Sequence, residues 1–381
     1  YNMMKTTKTF LAIIFLGLFY TVSFSQPVLE WGDLNSNSFT NSGGDMTKDK
    51  YGNVFMTCTD DSVVANIFTI KFRNDGSREW VRKYDYLGFD TGSKIIKRDR
   101  FGNIYVLATV YYPSSNRDII IVKYNSSGIF MWVRRLIPTG YSSEYNYNLV
   151  GAEFDVVTAD KFMFIAVQFN AGVSLERQRN ISVFKVDLNT SLYISSVHVT
   201  PYGTLSGGFQ GITINALGEV FVCGRTNGRG FIIKYKNSLM IDWNRGYTEG
   251  GWFNFIRVNS EGSLIIAGGS TTMGRRGSFL SCPMVCKING IDGNIVWSRV
   301  YVPADSLNSD IRAMDVDFDD NVVIGGNSGP KGFVIKYSST GVFSWYRQND
   351  SLHGFVLAMD TDPANNIYTG GSLNKLRKLN P

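Results

Sequence analysis

Residues 90–132 read DTGSKIIKRDRFGNIYVLATVYYPSSNRDIIIVKYNSSGIFMW, a stretch that parses into four short strands. An alternating apolar segment ends at Asp99, a tight turn covers Arg100, Phe101 and Gly102, and Asn103-Ile104-Tyr105-Val106 opens a second strand. Asp suits the first position of such a turn because its carboxylate caps backbone N–H groups two residues on, and Gly accepts the left-handed backbone. After a variable connection from Tyr111 to Arg117, a third strand runs through DIIIVKYN, and Ser126-Ser127-Gly128 turns the chain into a fourth strand that holds Trp132. Apolar runs separated by turns of this kind are hairpin signals.

The same order of signals recurs along the chain. Turn openers and second strands pair as Asp49 with Asn53-Val54-Phe55, Asn215 with Glu219-Val220-Phe221, Asn259 with Ser263-Leu264-Ile265, Asp317 with Asn321-Val322-Val323, and Asp362 with Asn366-Ile367-Tyr368. A lysine sits inside each third strand, at Lys71, Lys123, Lys185, Lys234, Lys287, Lys336 and Lys378, and an aromatic follows at Trp80, Trp132, Tyr193, Trp243, Trp297 and Trp345. The last unit lacks its aromatic, while Trp31 stands alone near the N-terminus. A linear array has no reason to begin with the end of a repeat, whereas a ring fastened by its own N-terminal strand does. The sequence therefore predicts an all-β, seven-bladed β-propeller with four antiparallel strands per blade, closed by a strand from Val28 to Trp31 that completes the last blade. Residues 26–381 form one domain on this reading, with about 51 residues per unit. The third unit is degenerate, with Thr158-Ala159-Asp160-Lys161 in place of the Gly-Asn turn and Tyr193 in place of Trp.

The pattern resembles the seven-bladed propeller repeat of secreted bacterial proteins, the SBBP repeat, whose signature runs D-x-A-x-x-I-x-V-D-x-x-G-N-[IV]-Y-V-x-G, then D-x-[FI]-V-x-K-[YF] and G-x-x-x-W. Residues 90–132 and 310–345 match it best, with Asp90 and Asp310 on the leading acid, whereas Gly208, Trp252 and Gly354 occupy that place in other units. The resemblance covers nearly all of residues 26–381 and implies an exported propeller.

The leading residues agree with export. Lys5 and Lys8 precede an apolar stretch from Phe10 to Tyr20, and Ser23-Phe24-Ser25 supplies small residues ahead of a cut before Gln26, so residues 1–25 read as a secretory signal peptide. A membrane anchor would need about 20 apolar residues, and this run is shorter and breaks at Thr21 and Ser23. The cleaved chain is expected to be a monomer without a stable transmembrane segment, in the periplasm, at the cell surface or outside the cell. Loss of the two leader lysines takes the formal net charge from +6 to +4, and no basic run is interleaved with aromatics, so nucleic acid is not an expected partner. Of four cysteines, Cys58 and Cys223 belong to distant units, while a turn at Pro283 would bring Cys282 and Cys286 within the ~6 Å Cα separation of a disulfide.

Catalytic signatures are sparse. Only His198 and His353 are present, and neither G-x-S-x-G nor H-E-x-x-H occurs. The run Asp315-Val316-Asp317-Phe318-Asp319-Asp320 is rich enough in carboxylates for calcium but carries Asp320 and Gly326 where a calcium loop needs Gly and Glu. No metal or cofactor is expected. Seven lysines in register suggest an anion-binding ring; the alternation of the third strand instead favours amines that meet acids of their own or the next blade. The connections between second and third strands, Gly268 to Pro283 among them, and those between blades are long in several units, and they open on one face. Tyr145, Tyr147, Trp252 and Arg276 are the expected contacts there, with Asp90 and Asp310 as further candidates, although aromatics of this kind also pack beneath their own loops. The expected function is non-enzymatic binding of a protein or a glycan through that face. The alternatives are a polysaccharide lyase or hydrolase that pairs carboxylates such as Asp90 and Asp310 at the channel mouth, and a structural subunit of a cell-envelope assembly.

Overall fold

The computed structural model describes residues 45–60, 63–114, 116–138, 147–154, 160–170, 179–199, 208–226, 229–247, 251–273, 279–303, 307–348, 354–371 and 376–379. The leader, the closing strand with Trp31, and Tyr145 and Arg276 lie outside these residues.

Among the described residues all regular structure is β. Blade one contains β1 (Met46–Lys48), β2 (Val54–Thr59), β3 (Ile67–Phe72) and β4 (Arg78–Tyr84), and blade two β5 (Asp90–Arg98), β6 (Ile104–Tyr111), β7 (Arg117–Tyr124) and β8 (Phe130–Leu136). Blade three contains β9 (Tyr147–Phe154), β10 (Phe162–Asn170), β11 (Arg179–Asp187) and β12 (Tyr193–Val199), and blade four β13 (Gly208–Ile214), β14 (Val220–Thr226), β15 (Arg229–Tyr235) and β16 (Ile241–Tyr247). Blade five contains β17 (Trp252–Val258), β18 (Leu264–Met273), β19 (Phe279–Ile288) and β20 (Ile295–Val300). Blade six contains β21 (Ser309–Val316), β22 (Val322–Ser328), β23 (Lys331–Tyr337) and β24 (Phe343–Gln348). Blade seven shows three strands among the described residues, β25 (Val356–Thr361), β26 (Ile367–Gly371) and β27 (Leu376–Leu379). The first strand of each blade touches that of the next, and β25 touches β1, so the seven sheets close into a β-propeller. The core lies between adjacent sheets: Met46 and Val54 of blade one cluster with Ala358 and Tyr368 of blade seven, as Ile119 and Leu107 of blade two do with Ile165 and Phe184 of blade three.

The repeated residues stitch this ring. Asp49 Oδ1 accepts the N–H groups of Tyr51 and Asn53 at 2.9 Å, and its Oδ2 accepts the Asn53 side-chain amide at 2.8 Å. Asp99, Asp317 and Asp362 cap their turns in the same way. Third-strand lysines find local partners, as their register predicts: Lys71 with Glu79 at 3.0 Å, Lys234 with Glu219 at 2.8 Å, Lys287 with Glu261 at 2.6 Å and Lys336 with Asp317 at 3.0 Å. Lys123 and Lys185 reach the following blade, donating to the Leu188 carbonyl at 2.9 Å and to Asn237 Oδ1 at 2.6 Å. Where an Asn opens the turn, at Asn215 and Asn259, the lysine takes a glutamate of the same turn instead, so the charge is matched by a different residue.

Fourth-strand aromatics hold blade to blade. Trp80 packs on Gly128 and Trp297 on Gly341, turn residues of the following blades with φ of 75° and 78°, where an added Cβ would meet the indole at 3.0 and 2.8 Å. Two residues beyond each indole, Arg82 and Arg299 donate to the carbonyls of those same glycines at 2.8 and 2.9 Å. Blade three differs in register. In blades one, two, four, five and six a bulge after the lysine sets Lys against Trp, as in Lys123 with Trp132; without that bulge, Lys185 faces Ile194, and Tyr193 pairs with Val186. The tyrosine hydroxyl donates instead to the Ile137 carbonyl at 3.1 Å, in the preceding blade connection.

Blade five corrects one expectation and answers one open point. The stretch from Gly268 to Pro283 is not a loop, since β18 and β19 remain paired out to Met273 with Phe279. Pro283 sits inside that ladder opposite Gly269, so no turn draws Cys282 toward Cys286; the two lie along one extended strand, with both side chains buried. The Cys286 thiol is pushed up to about 12 by burial, as expected for an inert core position.

Candidate binding face and axial channel

The first strands carry a feature that hydrophobic alternation hides. Register shifts fall between Ser93 and Ile95, Phe209 and Gly211, Phe253 and Phe255, Ile311 and Ala313, and Val356 and Ala358, and opposite Ala166 and Val167 in blade three. Each leaves one extra residue: Lys94, Gln210, Asn254, Arg312, Leu357 and Val150. A bulge re-aims the side chain it carries. All of these except Asn254 line a cavity of about 270 Å³ on the ring axis. Lys94, Gln210 and Arg312 are exposed and stand toward the face of the long connections, because the turns at the other end of each first strand are the short Asp/Asn-capped ones.

Deeper in the channel runs a belt of opposite charges. Two residues before the turn opener, the successive blades place Lys97, Glu153, Thr213, Arg257, Asp315, Asp360 and Thr47. Glu153 accepts Lys97 at 2.9 Å and lies 3.7 Å from Arg257. Burial alone would lower the Arg257 pKa, but Glu153, Asp315, Asp45 and Asp360 around it override that and hold it above its ordinary value. Asp315 Oδ2 accepts the Thr361 N–H and hydroxyl, both at 2.7 Å. Burial, then repulsion from Asp315, pushes the Asp360 carboxyl up to about 6, against its 3.1 Å ion pair with Lys48. Asp45 is likewise raised by burial, opposed by Lys97 and by N–H donation from Met46 and Ile96. The belt could have been found in the sequence as a charged position that recurs in five of the seven first strands, two residues before the turn.

The expected contacts fare unequally. Tyr147 is fully buried: its ring enters the core between blades two and three and lies 5.4 Å from Phe169, because β9 begins at this residue. It is therefore not a surface contact, which corrects the expectation. Trp252 is half-buried, its indole lying over Gly269 across the ladder, where a Cβ would meet it at 2.2 Å. Asp90 is exposed and its Oδ1 accepts the Ala65 N–H at 2.9 Å, tying the first long connection of blade one to blade two. Asp310 is 53% exposed and lies 3.4 Å from Arg312. Neither acid lines the axial cavity, and the structure does not bring them together there. In the acidic run, Asp317 caps its turn, Asp319 accepts from Asn365, and Asp320 accepts the Ser260 N–H at 2.9 Å and the Ser260 hydroxyl, so the carboxylates turn to different partners.

Known proteins place the fold and nothing narrower. No family model matches the chain, and no curated protein is similar in sequence. Virginiamycin B lyase from Staphylococcus aureus aligns over 92% of this chain and 100% of its own at 12% identity with a TM-score of 0.59. The WD40 propeller domain of Doa1 aligns over 91% and 96% at 11% identity with a TM-score of 0.54. YCF48, solved with a D1 peptide, aligns over 94% and 98% at 9% identity with a TM-score of 0.54. At these identities the likeness is one of fold.

Proposed function

We propose that this chain is an exported, non-enzymatic binding propeller of the SBBP repeat kind, which holds a protein or a glycan on the face of the long connections, around the channel lip. The observation that carries this reading is the ring of in-register bulges, which turns Lys94, Gln210 and Arg312 out into the lip while the charges below are engaged with one another. Pre-placed polar groups around a concave mouth suit recognition. Of the three exposed lip residues Arg312 already lies against Asp310, so Lys94 is the one that favours an acidic group of the ligand at the axis. The peptide-bound state of YCF48 gives a propeller precedent for a protein ligand.

One observation favours the enzymatic alternative. Asp360, pushed up to about 6 beside Asp315, is a carboxyl with a pKa suited to proton transfer near neutrality. A glycan and peptide array probed with residues 26–381, scored for both binding and chain cleavage, separates the two. Binding that Lys94→Glu or Arg312→Glu weakens at least tenfold, without cleavage products, supports the binding module. Cleavage that Asp360→Asn abolishes overturns it.

A further inference from the structure

A second recess opens on the same face, away from the axis. It lies between the connection that enters blade two and the β6–β7 connection of that blade, and it is lined by Phe89, Tyr112, Pro113, Ser114, Asn116 and Arg135. Phe89 and Tyr112 meet edge to face with centroids 4.9 Å apart, and the Arg135 guanidinium stands over the tyrosine ring at 5.7 Å. Behind them the fully buried Asp118 pairs with Arg135. Burial, and then the neighbouring Asp118 carboxylate, hold the Tyr112 phenol well above its ordinary pKa.

The recess is pre-built. Phe89 donates its N–H to the Tyr86 carbonyl at 3.0 Å, Gly88 to Asp85 Oδ1 at 2.7 Å, and Tyr112 to the Asn116 carbonyl at 3.0 Å, so both connections are fixed by their own hydrogen bonds. Its volume of about 460 Å³ is that of a small-ligand site. The lining selects the chemistry. Aromatic walls offer an apolar surface at low entropic cost, and Ser114, Asn116 and the Arg135 side chain, which is 35% exposed, offer hydrogen-bonding groups. Asp118 already neutralises the guanidinium, so a free anion gains little here. A ring with one C–H face and several hydroxyls satisfies both kinds of surface.

We propose that this recess is a sugar subsite that takes a single neutral pyranose ring, with its C–H face against Phe89 and Tyr112 and its hydroxyls on Arg135, Ser114 and Asn116. The proposal rests on reading this face as a binding face, and it narrows the ligand to one that carries a glycan. The test is saturation-transfer NMR on residues 26–381 with a panel of methyl pyranosides and a proline-rich peptide, on the wild type, Phe89→Ala, Ser114→Arg and Arg312→Glu. Saturable pyranoside binding that falls at least tenfold in Phe89→Ala and Ser114→Arg, and persists in Arg312→Glu, supports the subsite. Ser114 is exposed, so its replacement fills the recess without emptying the core. No saturable pyranoside binding, binding indifferent to both recess variants, or binding of the peptide alone overturns it. If array ligands still depend on Lys94 and Arg312 in that event, the lip reading survives and only the recess fails.

Discussion

Replacing Lys336 with Met tests whether the in-register lysines serve the fold. Met keeps most of the stem that covers apolar surface, so the change removes little beyond the charge. The partner carboxylate of Asp317 is fully buried and the lysine side chain is 12% exposed. Stripping the cation from a buried pair costs about 3–5 kcal/mol. Asp317 keeps the Asp319 N–H, the Asn321 N–H and the Asn321 amide as donors, which offsets part of that loss and sets the expectation at about 2–3 kcal/mol. Lys71 is the internal control, since it holds the same register, but its partner Glu79 is 30% exposed, and pairs of that kind are worth about 0–1 kcal/mol. A double variant, Lys336→Met with Asp317→Asn, should recover most of the loss, because Asn215 and Asn259 already open equivalent turns without a charge. The assay is urea unfolding followed by tryptophan fluorescence, with the midpoint and slope compared across the set. Equal midpoint shifts for Lys336→Met and Lys71→Met, or no rescue in the double variant, would refute the assignment. Unchanged unfolding with lost ligand binding would restore the anion ring.

Two further perturbations read other parts of the fold. Deletion of residues 26–32 should lower stability by several kcal/mol and speed amide exchange in β27, since β27 pairs only with β26 among the described residues and an open strand edge is a liability; an unchanged unfolding midpoint would exclude closure by that segment. Asp360 should make stability rise on acidification: its folded pKa of about 6 lies above the ordinary 3.8, so the folded state binds the proton first and stability is lost as pH rises between those values. Relative to Asp360→Asn, the wild type should gain about 1 kcal/mol from pH 7 to pH 5 at a cost of about 1.36 kcal/mol per pKa unit, reduced because the side chain is 27% exposed to the channel. Parallel pH profiles of the two proteins would contradict the burial argument.

The fold was legible because its determinants are local. Asp99 and Asn103, or Asp317 and Asn321, fix a turn within five residues, and Trp132 and Lys123 mark facing strands of one hairpin. What escaped was set by contacts between blades or by single-residue insertions. Tyr147 reads as a loop residue until the neighbouring sheet supplies Leu136 and Ile119 around it. The extended hairpin at Gly268 to Pro283 looks like a loop because its glycines and Pro283 depress strand propensity, while the paired partner strand overrides it. Lys94 and Arg312 read as ordinary outward residues of an alternating strand, since a bulge alters which way a side chain points without altering composition.

The distribution of residue types among equivalent places says which positions the fold leaves open. Turn openers are Asp or Asn at Asp49, Asp99, Asn215, Asn259, Asp317 and Asp362, because only an oxygen there can cap the turn. The six bulge positions hold Lys94, Val150, Gln210, Asn254, Arg312 and Leu357, no two alike, although every one sits at the same step of the same strand. A position that holds a cation, an amide and an aliphatic side chain alike is not fixed by one packing requirement, although Val150 does pack against the core between blades three and four. Six sheets thus present a lip whose composition is looser than that of the turns that hold the ring together. That freedom is what a binding surface requires, and it is why the lip, more than the third-strand lysines or the buried tyrosine, is where substitutions should change what this propeller holds and leave its stability intact.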